Sequence, residues 1–186
     1  MPSTPYERRF TARSITTSAL LASLLAASAL IALPIGVVPF TLQTAVLVLV
    51  AITQRPSRAA LTVGTYLVIG AIGLPVFSGL RGGLGVLAGP TGGYLFGFLV
   101  GAVAGAWVRD RLFASGTSRV LADVASALLV IAVVYALGWL QLVLVTGMGV
   151  LPALLAGVVP FVIPDALKAA GAIALAPMVR RASEVR

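Results

Sequence analysis

The chain has 186 residues, of which 60% are hydrophobic and only 10% charged, with a mean hydropathy of +1.10 and a formal charge of +8. Soluble domains carry about 25% charged and about 45–50% apolar residues, so an ordinary soluble fold is excluded. Six spans of about 20 residues, each enough to cross a hydrocarbon core of roughly 30 Å, would leave only connections and two tails. No room remains for a separate soluble catalytic domain.

Missing residue types narrow the chemistry. There is no His, Cys or Asn, so disulfides, thiolate nucleophiles, Cys/His zinc sites and Ser-His-Asp triads are excluded. With five acidic residues in the chain, no carboxylate metal cage and no resident cofactor are expected. The single lysine, Lys168, does not follow a phosphate-binding glycine loop, so ATP hydrolysis by the P-loop route is excluded. The arginines are scattered between apolar runs, which argues against nucleic-acid binding.

Cutting the apolar runs at charges and at Pro/Gly clusters predicts an all-α integral membrane protein with six spans in one domain, 1–186. The first span covers 14–33 and ends at Pro34. The second, 40–53, is short and suggests a tilted or partly re-entrant segment. The third covers 57–74 and is stopped by Pro75. The fourth covers 91–108, the fifth 120–145 and the sixth 163–179. Tails of 1–13 and 180–186 complete the chain.

Charge orients these spans. Arg8, Arg9, Arg13, Arg55, Arg58, Arg109, Arg111, Arg119, Arg180, Arg181 and Arg186 then share one side, eleven of the thirteen basic residues. This is the positive-inside pattern, and it predicts both termini in the cytoplasm.

Three ionisable residues fall on the other side: Arg81, Asp165 and Lys168. Charge at membrane depth is costly and commonly marks a ligand pathway or a buried pair. Asp165 and Lys168 are three apart and share a helix face. Pro164 and Asp165 also suit the first turn of a helix, which accounts for Asp165 but not for Lys168. The connection 73–94 reads GLPVFSGLRGGLGVLAGPTGGY. Its GLGVLA run mimics a dinucleotide fingerprint, but no strand precedes it, and a mobile lid or inserted cap is the better reading. Gly89, Gly93, Gly97, Gly101 and Gly105 recur at four-residue spacing, a stripe that lets another helix approach closely. Ser18, Ala22 and Ala26, with Ala19, Ser23 and Ala27 beside them, form a second small-residue stripe, fit for internal packing or for docking another membrane protein.

Three stretches, LPIGVVPFTLQT (33–44), GAIGLPVFSGLRGGLGVLAGPTGGYLFGF (70–98) and VVPFVIPDALKAA (158–170), resemble the BioY family of bacterial biotin transporters. These are substrate-binding (S) components of energy-coupling factor transporters. The resemblance implies a six-helix bundle in the cell membrane that captures biotin from outside and is not itself an enzyme. It also implies a transmembrane coupling protein and two cytoplasmic ATPases as partners, with Ala22 and Ala26 on the docking face. The family's acidic and basic pair falls on Asp165 and Lys168, and Arg81, Gly92, Gly93, Tyr94 and Gln43 are further site positions. For that ligand, Asp165 would accept ureido N–H bonds, and Lys168 would donate to the ureido oxygen or hold Asp165 charged. Arg81 or loop N–H groups would meet the valerate carboxylate, and Phe77 and Tyr94 would pack on the thiophane ring. Two alternatives stay open: an S component for another vitamin, and a ligand-free membrane assembly protein.

Overall fold

A computed structural model describes residues 12–34 and 36–184. The N-terminal tail with Arg8 and Arg9, the side chain of Arg13, and Arg186 lie outside the described residues. The elements run α1 (Ala12–Leu30), β1 (Ala32–Leu33), β2 (Phe40–Thr41), α2 (Gln43–Thr53), α3 (Pro56–Ala71), α4 (Leu84–Ala88), α5 (Gly92–Ala114), α6 (Arg119–Thr146), α7 (Val150–Gly157) and α8 (Val162–Glu184), with a 3₁₀ turn at Val159–Phe161 before α8. Gly92–Ala114, Arg119–Thr146 and the run Val150–Arg181 are long and apolar enough to cross a membrane by length and composition. Leu128, Leu144, Ile163 and Leu167 point outward, as lipid-facing side chains do.

Each span expected from the sequence has a helix, and the boundaries differ for physical reasons. The first helix stops at Leu30, because Ala32–Leu33 pairs antiparallel with Phe40–Thr41. The backbone turns between them, with Gly36 at a φ of 70°. The second span therefore starts with a strand, and its helix has only 11 residues. That helix is buried nearly all round, with Val46 through Ile52 inside the bundle. The fourth helix runs six residues beyond 108, and Gly89 lies before it, as the C-cap of α4.

The glycine face of α5 sets the closest approach in the bundle. A Cβ on Gly93 would meet the Leu137 carbonyl, one on Gly97 the Val134 Cα at 2.8 Å, and one on Gly101 the Val130 carbonyl at 3.1 Å. On Gly105 it would meet Val130 Cγ2 at 2.6 Å. The backbones of α5 and α6 thus lie against each other, and their contact is the most extensive in the fold. Dispersion over this face does the work that hydrophobicity cannot do between helices in lipid.

The connection after α3 is a folded cap. Phe77 and Arg81 exchange backbone hydrogen bonds of 2.9 and 3.3 Å. The Phe77 ring is buried over Gly70, where any Cβ would collide with it, and stands edge-on to Tyr66. Gly83 N–H donates to the Gly70 carbonyl, and Gln141 Nε2 donates to the carbonyls of Leu87 and Gly89, each at 2.8 Å. The cap is thereby pinned to α3 at one end and to α6 at the other.

Gly97→Ala should lower the unfolding free energy by about 1–3 kcal/mol, because the new methyl meets backbone that cannot move aside. Gly171→Ala, in the interior of α8 where a Cβ meets nothing within 4 Å, should instead raise it by about 0.4–1 kcal/mol. Thermal unfolding of the two variants in detergent compares them directly.

Candidate functional site

The N-terminal ends of α2, α5 and α8 converge beneath the cap. Between them lies a cavity with about 630 Å³ of empty space, including the part open to solvent. Gln43 and Thr44 enter it from α2, Tyr94, Leu95 and Phe98 from α5, Val134 and Tyr135 from α6, and Asp165 and Lys168 from α8. Phe77 and Ser78 descend from the cap, and Thr91 stands at the start of α5. The wall is mainly apolar, with few polar groups.

Asp165 and Lys168 form an ion pair of 2.8 Å on one turn of α8, with side chains 5% and 9% exposed. Lys168 Nζ also donates to the Thr41 carbonyl at 2.6 Å and stands 3.7 Å from the centre of the Phe40 ring. Its charge is therefore met on three sides, by a carboxylate, a backbone carbonyl and an aromatic face. Tyr135 Oη donates to the other oxygen of Asp165 at 2.8 Å. A carboxylate offers about four acceptor sites, so Asp165 keeps acceptor capacity toward the cavity.

Two further polar side chains are fixed from outside the cavity. Gln43 Nε2 donates to Tyr66 Oη at 2.7 Å, which holds the amide across α2 and α3. Tyr94 Oη donates to the Gly157 carbonyl at 2.8 Å and ties α5 to the end of α7. Tyr94 therefore presents its ring to the cavity while its hydroxyl is occupied behind it.

The expected site residues divide. Asp165, Lys168, Gln43, Tyr94 and Phe77 meet at the cavity. Arg81 does not line it: the side chain is exposed and its Nε donates to the Ser78 carbonyl within its own turn. Gly92 and Gly93 are not lining residues either. A Cβ on Gly92 would meet the Leu87 carbonyl, and one on Gly93 that of Leu137, so both serve close packing. Ala22 is buried and Ala26 half-buried toward the bundle, whereas Ala19, Ser23 and Ala27 are exposed. Small residues on the inward face let α1 approach α2 and α3, and a docking surface on α1 would use the other stripe. Sequence reasoning missed Tyr135, Thr41 and Thr91. A phenol inside an otherwise apolar span was the available signal for Tyr135.

Comparison with known proteins gives concordant results. A protein named "Probable biotin transporter BioY" from Pyrococcus horikoshii is 33% identical over 165 residues, covering 89% of this chain and 94% of its own. "Biotin transporter BioY" from Thermotoga maritima is 37% identical over 156 residues, covering 84% and 89%. The crystal structure of an "S-component for biotin from an ECF-type ABC transporter" superposes with a TM-score of 0.84 over 99% of this chain and 96% of that one, at 23% identity, so the fold is shared. Residues 3–185 match the BioY family, and over essentially its whole described length the chain belongs to that family.

Proposed function

We propose that the chain is the biotin-binding S component of an energy-coupling factor transporter, a multi-pass protein of the cell membrane with six spans and both ends in the cytoplasm. The observation that carries the reading is the Asp165–Lys168 pair, buried in the wall of a mainly apolar cavity. A ligand with a polar head and an apolar body suits such a wall. The names of the relatives supply biotin as the ligand. The chain uses no cofactor of its own in this reading and catalyses no reaction. Energy comes from a transmembrane coupling protein and two cytoplasmic ATPase subunits, with membrane lipid around the outward-facing side chains.

The geometry favours one division of labour. Lys168 is already met on three sides, so its role is to hold the Asp165 carboxylate in place rather than to reach the ligand. Asp165 retains acceptor sites, so it takes the ureido N–H groups. Such bonds to a charged acceptor are worth about 1.5–3 kcal/mol each. Tyr135 fixes the carboxylate from behind. The rings of Phe77, Tyr94 and Phe98 form apolar walls for the thiophane ring. With Arg81 outside the cavity, the valerate carboxylate is left to the first turn of α5, where Thr91 stands and the helix dipole is positive.

Titration calorimetry of the detergent-purified chain should give strong binding of biotin and none of riboflavin or thiamine. Binding of all three alike, or of none, would remove the proposal. Asp165→Asn should weaken biotin binding by about 100-fold, the loss expected when two charge-assisted bonds become neutral ones. Arg81→Ala should bind within about two-fold of the parent, and a large loss there would mean that the arginine swings into the cavity.

Tyr135→Phe tests the supporting role separately. Loss of one hydrogen bond to a charged group should cost about 1.5–3 kcal/mol, read as roughly a ten-fold or greater weakening of biotin binding. An unchanged affinity would show that Asp165 needs no support from α6.

A further inference from the structure

At the other end of the bundle, the C-terminal ends of α2, α5 and α8 surround a second cleft, with about 1,140 Å³ of empty space including its open part. Arg55, Arg58, Arg109, Arg119 and Arg180 line it, with Asp110 as the one acidic lining residue. Asp123 lies beneath, with a side chain 3% exposed. Arg180 Nη2 donates to both Asp123 oxygens at 2.7 Å and to the Ile52 carbonyl at 2.8 Å. Arg109 Nε stands 3.4 Å from Asp123 Oδ1, and its Nη1 donates to Asp110 at 3.0 Å.

Five guanidinium groups therefore face two carboxylates, leaving a local charge of +3. Arg55, Arg58 and Arg119 have no carboxylate partner among the described residues. A second observation points inward as well. The Arg180 side chain is 10% exposed, and its buried Nε has no hydrogen-bond acceptor. The buried Arg109 Nε also lacks a hydrogen bond. The bias of basic residues toward one membrane face explains exposed cations such as Arg111 and Arg181, which lie outside the cleft. It does not explain five arginines lining one concavity, two of them with a buried Nε left without an acceptor.

We propose that this cleft binds a phosphate-bearing anion. The planar forks of several arginines match phosphate oxygens, and three unpaired guanidinium groups suit a phosphate monoester or diester. The anion would be the headgroup of an acidic phospholipid or free phosphate. The exposed Phe113 at the rim, with Arg119 stacked 5.0 Å over its ring, supplies apolar surface beside the charge and favours the lipid.

The test uses the detergent-purified full chain and follows thermal unfolding with three probes: dioctanoyl phosphatidylglycerol, dioctanoyl phosphatidylcholine and inorganic phosphate. Phosphatidylglycerol should raise the midpoint by about 3 °C or more, while phosphatidylcholine should not. The triple variant R55Q/R58Q/R119Q should lose the shift, and the control R111Q/R181Q should keep it. Should inorganic phosphate reproduce the shift with the same dependence on these variants, the site stands and its source is free phosphate. A shift that survives the triple variant, or disappears equally in the control, overturns the proposal, as does the absence of any shift. Arg58→Gln alone should weaken phosphatidylglycerol binding by about five-fold, so a triple variant that fails to fold still leaves the proposal open to refutation by an unchanged affinity in the single one.

Discussion

A carboxylate and an ammonium cannot sit in an apolar bundle unless each is held. Taking two such charges out of water costs several kcal/mol per ion, and only good geometry with further hydrogen bonds offsets it. In this chain the pair Asp165–Lys168 and its partners come from three separate parts of the sequence. Thr41 and Phe40 come from the short strand before α2, Tyr135 comes from the middle of α6, and the pair itself opens α8. Satisfying the pair therefore fixes where the hairpin, α6 and α8 stand relative to one another. The cavity wall is what remains between these elements once the charges have been met.

The remaining wall depends on how near α5 comes to α6. With Gly93, Gly97, Gly101 and Gly105 against the backbone of α6, the two helices form one rigid slab. From that slab Tyr94 and Phe98 project toward α8, and Gln141 reaches out to hold the cap. Larger residues on α5 would push α6 away and carry Tyr135 off Asp165. A packing feature that is chemically silent thus keeps the hydrogen bond to the carboxylate short.

Much of this could be read from the sequence, because membrane insertion writes itself in composition. Charges and prolines marked the long helices to within about six residues, and the isolated Asp165 and Lys168 stood out against their apolar surroundings. Local tests failed where partners lie far apart in the chain. Ala32–Leu33 reads as a continuation of the first span, and only its pairing with Phe40–Thr41 makes it a strand. Outward charge and the family resemblance both point Arg81 toward the site, although a turn that brings the Ser78 carbonyl within 3.1 Å of its Nε satisfies part of it locally. Gly92 and Gly93 sit beside the site in sequence but serve the slab. Asp123 carries no local signal, since a carboxylate four residues after Arg119 fits a solvated helix pair equally well. Its real partner Arg180 is 57 residues away.

The two ends of the bundle solve the problem of buried charge in opposite ways. At the capped end the opposing charges cancel, so a ligand meets a neutral, ordered site whose specificity rests on hydrogen-bond direction and shape. At the other end the same helices finish among arginines in excess of the carboxylates, and Arg180 on α8 and Ile52 on α2 are tied together. Tyr94 and Arg109 are fifteen residues apart on α5, roughly 22 Å along a helix, so the two sites occupy opposite ends of one rigid element. The cap is fastened by neutral contacts, with Phe77 over Gly70, the Gly83 N–H on the Gly70 carbonyl and Gln141 on the carbonyls of Leu87 and Gly89, whereas the arginine end is fastened by the buried Arg180–Asp123 ion pair.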